Sequence, residues 1–301
     1  MVYLYAIFNI LFLLFWLRLW SAPDKEFYFN PFLSGTIRLT DAVLAFLRPV
    51  LYLPQQAAAF VILFFVTLFK TLLFIRLNLP WSIILGTYFQ FSPVGTTDHI
   101  PNLLLFSALQ VTAFLFKLWT VFLLVRLITP PFHTTRATET LAFFARPFSR
   151  IPPFAQPFVL IALHAALAFA VSRIGVLHLL TQVTEAPKPA AVSPFLDGPY
   201  YAQLLRLGWL AALSLADGLA LLVRMLFALI IGNLAAALLQ ARGAMLVCSE
   251  GVELLLGRFS RHGVGGMGFD FTPLIFFFVV DLMYNSICRG LFELIHSPLF
   301  R

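Results

Sequence analysis

Charge is what this sequence has least of. Only 11% of its 301 residues are Asp, Glu, Lys or Arg, against 61% hydrophobic. Soluble domains are roughly a quarter charged, and this chain has too little polar surface to face water all round. Cysteine is also scarce: Cys248 and Cys288 stand far apart with no Cys-x-x-Cys spacing, so a disulfide framework or thiolate zinc site has no support. The glycines of "HGVGGMGFDFTP" are not closed by a lysine, which a Walker phosphate loop requires. No Ser-His-acid set or paired carboxylates suggest catalysis. No catalytic residue, cofactor or metal site is therefore expected. The net charge of +7, from 20 basic and 13 acidic residues, is spread thinly and forms no patch. That argues against nucleic acid as a partner and for topology signals and anionic headgroup contacts.

What is abundant is apolar length. Phenylalanine occurs 35 times, and runs long enough to cross a bilayer cover 2–20, 57–77, 103–128, 157–180, 207–240 and 271–294. The first lacks the basic residues of a signal peptide and reads as a retained helix. The stretch 200–240 is too long for one ordinary crossing. Asp217-Gly218 is a plausible break in it, giving an interfacial helix and then a span, or two paired half-spans. Between the second and third helix pairs, "TEAPKPAAVSPFLDGP" is linker-like, its prolines forbidding a continuous helix.

Basic residues are unevenly shared between the connections. Those after the first, third and fifth spans hold more arginine and lysine than those on the other side. The positive-inside rule puts the richer side in the cytoplasm, or its organellar equivalent, and both termini outside. A bacterial inner membrane or an organellar counterpart is the expected location.

The chain also repeats itself. "TIRLTDAVLAFLRPV" and "TTRATETLAFFARPF" align without a gap, matching at Arg38/Arg136, Thr40/Thr138, Asp41/Glu139, Phe46/Phe144, Arg48/Arg146 and Pro49/Pro147. Each lies between two apolar spans. Arg38, Asp41, Ala45 and Arg48 share one helical face, with Val43, Leu44 and Leu47 on the other. Such a helix lies among headgroups with its arginines toward phosphate, or else packs on a partner. Pro49 and Pro147 would then stop the helix and turn the chain back into the membrane. "SEGVELLLGRFSRHG", with Arg258 and Arg261, is a weaker third copy. The expectation is an all-α integral membrane protein of about six transmembrane helices, in three helix–amphipathic helix–helix units near 1–95, 96–198 and 199–301. Arg38, Arg48, Arg136, Arg146 and Arg261 are its headgroup contacts.

The third unit closes on "GGMGFDFTP" followed by "LIFFFVVDLMYNSI". This resembles the signature of the YggT (YlmG) family, a glycine pair and Asp-Phe-Ser-Pro leading into a membrane helix, with Thr272 here in the serine's place. "EFYFNPF" (containing Asn30 and Pro31) and the Arg48-Pro49 that follows are similar to the family's first segment. The family has two such units; this chain has three. The resemblance implies a non-enzymatic protein that organises, assembles or stabilises a membrane complex, and other integral membrane proteins as partners. The link of bacterial relatives to osmotic and ion stress implies a small transporter or channel-like protein instead. Physically, Gly265, Gly266 and Gly268 permit a tight turn. Asp270 or Thr272 can cap the next helix, and Pro273 suits its first turn.

Lys70, Lys117, His164, Asp217, Arg224, Asn233, Asp281 and Asn285 interrupt the apolar runs. A charge at the bilayer centre costs ~3 kcal/mol or more on insertion scales, so such groups normally face the protein interior. Lys70 or Lys117 paired with Asp217 or Asp281 would join the units; an ion path or snorkelling are the other readings. His164 and His178, about 21 Å apart along one helix, are too distant to share a ligand.

Overall fold

Backbone in lipid has no water to bond, so the apolar runs satisfy their amides internally as helices. The computed structural model describes residues 2–20, 31–51, 54–77, 82–86, 89–93, 100–128, 136–179, 200–240, 242–257, 259, 265–266 and 269–295. Within them lie α1 (Val2–Trp20), α2 (Pro31–Leu51), α3 (Gln55–Arg76), β1 (Ile83–Leu85), β2 (Phe89–Pro93), α4 (Ile100–Ile128), α5 (Arg136–Phe144), α6 (Arg146–Ser149), α7 (Gln156–Ile174), β3 (Gly175–Leu179), α8 (Tyr200–Leu238), α9 (Arg242–Leu256), β4 (Gly265–Gly266), β5 (Phe269–Asp270) and α10 (Thr272–Ile295). Helices α3, α4, α7, α8 and α10 are long and apolar enough to cross a membrane, and α1 is a shorter apolar helix. The chain is an all-α membrane protein with a little sheet.

The element order runs apolar helix, amphipathic helix, apolar helix three times: α1-α2-α3, α4-α5-α7 and α8-α9-α10. Helix α8 is the hub, packing on α4, α7, α9 and α10, while α1 packs mainly on α3. Helix α5 touches both α2 and α9, so the three amphipathic helices gather at one end. Trp16 Nε1 donates to Phe144 O at 3.0 Å, and Arg146 donates to Trp20 O, tying α1 to the second unit there. Arg38→Cys and Arg242→Cys variants should therefore react with a membrane-impermeant thiol reagent from the same side. Labelling from opposite sides would break this arrangement.

Several readings of the sequence are corrected. Helix α8 is one unbroken 39-residue element, with Asp217 and Gly218 buried inside it. Gly218 marks a close approach rather than a break: a Cβ there would lie 2.5 Å from Thr120 Cγ2 on α4. The run 157–180 is a helix only to Ile174; His178 sits on β3, so it and His164 do not share a helix. Helix α2 passes through Pro49 to Leu51, and Pro147 opens the short α6 instead of ending α5. In α2, Leu33, Ile37 and Leu44 are buried, whereas Leu39, Val43 and Phe46 are exposed. Val43 and Leu44 thus belong to two apolar stripes, one toward protein and one outward.

Within the glycine run two short strands pair antiparallel, Gly265 opposite Asp270 and Gly266 opposite Phe269. Helix α10 then begins at Thr272 with Pro273 in its first turn, where the missing N–H is no loss. A second sheet, β1-β2-β3, joins the connection after α3 to the strand after α7, all antiparallel.

Candidate functional site: a polar cavity beside a strand edge

Among the described residues strand β1 forms an edge of its sheet, pairing with β2 on one side only. An open edge among apolar helices is costly, because its amides and carbonyls have no water to meet. Side chains of α4 and α8 close this one. Gln110 Nε2 donates to Ser82 O at 2.8 Å, Lys117 Nζ to Ile84 O at 3.1 Å, and Gly86 N–H to Asp217 Oδ1 at 2.9 Å. Residues 82, 84 and 86 alternate, as groups turned outward from one strand edge must. Ile83 and Leu85 between them pack into the core with Phe91, Phe106 and Leu213. Gly86 has φ +65°, and a Cβ on it would stand 2.7 Å from Leu213 Cδ2, so the position requires glycine.

The charges that hold the edge also hold each other. Lys117 Nζ is 2.7 Å from Asp217 Oδ2, and Tyr284 on α10 donates its hydroxyl to Asp217 Oδ1 at 3.1 Å. Behind them, Lys70 on α3 donates to Gln110 Oε1 at 2.6 Å and lies 5.7 Å from the centre of the Tyr5 ring. The first, second and third units are thus joined through buried and half-buried polar groups. Lys70 does not reach Asp217, and Asp281 meets neither lysine: its Oδ2 accepts from Asn285 Nδ2 on its own helix at 3.0 Å.

Between this edge and α1 lies a cavity of about 520 Å³, lined by α1, β1, α4, α8 and Tyr284 of α10. Among the described residues its charged lining is Lys117, Asp217 and Arg224. Asn9 of α1 faces it as well. Neither Arg224 nor Asn9 has a hydrogen-bond partner or ion pair among the described residues.

His164 is fully buried at another junction, with Nδ1 2.7 Å from Ser214 Oγ and Nε2 3.1 Å from Thr120 Oγ1. Thr120 already donates to Phe116 O at 2.9 Å. Its oxygen is therefore left to accept Nε2–H while Ser214 donates to Nδ1, which selects the Nε2–H tautomer and fastens α7 to α4 and α8. Asn233 has a buried Oδ1 with no partner among the described residues. Among those residues no three His, Cys, Asp or Glu side chains gather as a metal would need.

The arginines expected at headgroups divide. Arg38 is exposed on α2, and Arg146 bonds Trp20 O and lies over the Phe143 ring at 5.1 Å, so it serves an internal contact. Asp41 pairs with buried Arg18 of α1, turning α2 toward the bundle. The side chains of Pro31, Arg48, Pro49, Arg136 and Asp270 lie outside the described residues, as do Asn30, Arg258, Arg261 and Gly268 altogether. Thr272 is buried at the start of α10.

Sequence reasoning missed Asn9, Ser82, Gly86, Gln110 and Tyr284 at this site. Asn9 and Gln110 carried a signal, being amides inside apolar runs; Ser82 and Gly86 sat in what read as a connection. Comparison of the chain with protein-family models, with curated proteins and with solved structures finds no match in any of the three.

Proposed function

We propose that this chain is a non-enzymatic membrane protein that organises or stabilises other membrane proteins, as its likeness to the YggT motif implies, and that α10 is the face it presents to them. One observation carries the reading. Near the middle of α10, Asp281 is half-buried and Asn285 is exposed, and their only hydrogen bond among the described residues is to each other. Arg289 and Glu293 continue the same row at four-residue steps, paired at 2.9 Å.

A carboxylate turned to hydrocarbon costs ~3 kcal/mol. A neighbouring transmembrane helix offering an amide, hydroxyl or basic side chain would offset that, each interhelical hydrogen bond contributing roughly 0.6–2 kcal/mol. The partner chemistry is therefore a polar-faced membrane helix. The reading puts the amphipathic end in the cytoplasm or its organellar equivalent and both termini outside, in a bacterial inner membrane or its counterpart, supported by the excess of arginine and lysine in the connections after the first, third and fifth spans.

The test is recovery in mild detergent of co-purifying membrane proteins with the intact chain and with Asp281→Leu/Asn285→Leu. The variant should lose its specific partner at least tenfold while unfolding at the same temperature as the parent. Equal recovery, or recovery of nothing beyond the chain by either, defeats the reading. The transporter alternative predicts ion passage in liposomes that hold the intact chain, and none in liposomes without it.

A further inference from the structure

We propose that the cavity between α1, β1, α4 and α8 binds an anionic amphiphile, its phosphate or carboxylate group held by Arg224 and Asn9. Charge is the first reason. Lys117 and Asp217 lie 2.7 Å apart and neutralise one another, which leaves Arg224, among the described residues, as the uncompensated charge on the cavity wall. No carboxylate, carbonyl or amide among the described residues takes its guanidinium.

Position is the second. Arg224 follows Asp217 by seven residues, two turns along the same face of α8. It stands in an apolar helix where an unpaired cation is costly. A bound anion would remove that cost, and guanidinium presents the planar fork that matches phosphate or carboxylate in two parallel hydrogen bonds. Asn9 faces the same space from α1 and can add an amide donor.

The walls indicate what the anion is attached to. Ile10, Leu13, Phe114 and Leu221 line the remainder, and Ile10 and Arg224 are exposed. The space therefore opens between α1 and α8 toward the surface that lipid covers. About 520 Å³ falls within the ~300–1,000 Å³ of small-molecule sites and is far more than a bare ion fills. The headgroup of an anionic lipid, or a free organic anion with an apolar part, satisfies the same chemistry. This site is independent of the α10 face, so either proposal can fail alone.

The purified full chain in uncharged detergent micelles would be titrated with short-chain phosphatidic acid and, separately, with inorganic phosphate, binding being followed by native mass spectrometry. Saturable uptake of one phosphatidic acid per chain is expected. Arg224→Gln should weaken it at least tenfold, and Arg173→Gln, an exposed arginine on α7, should not. If millimolar inorganic phosphate displaces the lipid, the site takes free anions; if it does not, the headgroup needs its chain. No saturable uptake of either probe by the parent chain, or equal uptake by Arg224→Gln, overturns the assignment. Should Arg224→Gln fail to fold, Asn9→Leu decides on the same readout.

Discussion

Asp217→Leu is expected to lower the stability of the detergent-solubilised protein by about 3–5 kcal/mol, the usual cost of stripping one partner from a buried ion pair. Asp217 is 5% exposed; its carboxylate is ion-paired with Lys117 and accepts from the Gly86 amide and the Tyr284 hydroxyl. Its loss leaves the half-buried Lys117 ammonium without its counter-charge and the Gly86 amide without its acceptor. Lys117→Leu should cost a comparable amount, because it strands the carboxylate and frees Ile84 O. The double variant Lys117→Leu/Asp217→Leu should lose clearly less than the sum, since the opposing charges leave together. Denaturant titration of the four proteins in mixed micelles measures this. Strict additivity would mean that the two side chains do not act as a pair.

Gly218→Ala should destabilise by about 1–3 kcal/mol, the range for overpacking a filled contact. The added methyl would meet Thr120 at 2.5 Å from Cγ2 and 2.6 Å from Cβ. Thr120 cannot swing aside cheaply, because its hydroxyl is engaged by Phe116 O and by His164. Thermal unfolding should fall in Gly218→Ala and recover in part in Gly218→Ala/Thr120→Ser, which deletes Cγ2 and keeps the hydroxyl. A neutral Gly218→Ala would show that α4 and α8 are loosely packed at this crossing.

These expectations show where sequence was enough and where it was not. The apolar runs announce the helices, and Lys117 and Asp217 stand out because charge is rare around them. What they bond to is not local information: Asp217 reaches a backbone amide in a distant connection, and no pattern around either residue points there. Gly218 reads as a weak spot because glycine costs ~1 kcal/mol in a helix interior. That price is set by an isolated helix. In a bundle, a missing side chain lets two backbones approach, and small residues mark such crossings. The end of α7 was hidden for another reason, since an apolar run continuing into a buried strand looks like more helix. The cavity follows from none of these signals, because it is the space left when α1 meets the other two units.

The sheet imposes an order on synthesis. Strand β2 cannot complete its pairing until β3 has been made, and α4, α5, α6 and α7 lie between the two in the chain. The Gly86 amide waits longer still, for Asp217 on α8. The β1–β2 pair therefore leaves the translocation machinery with an unfinished edge, which must stay hydrated or shielded until the last third of the chain arrives. Nascent chains halted before residue 200 should keep residues 82–86 open to protease, and full-length chains should not.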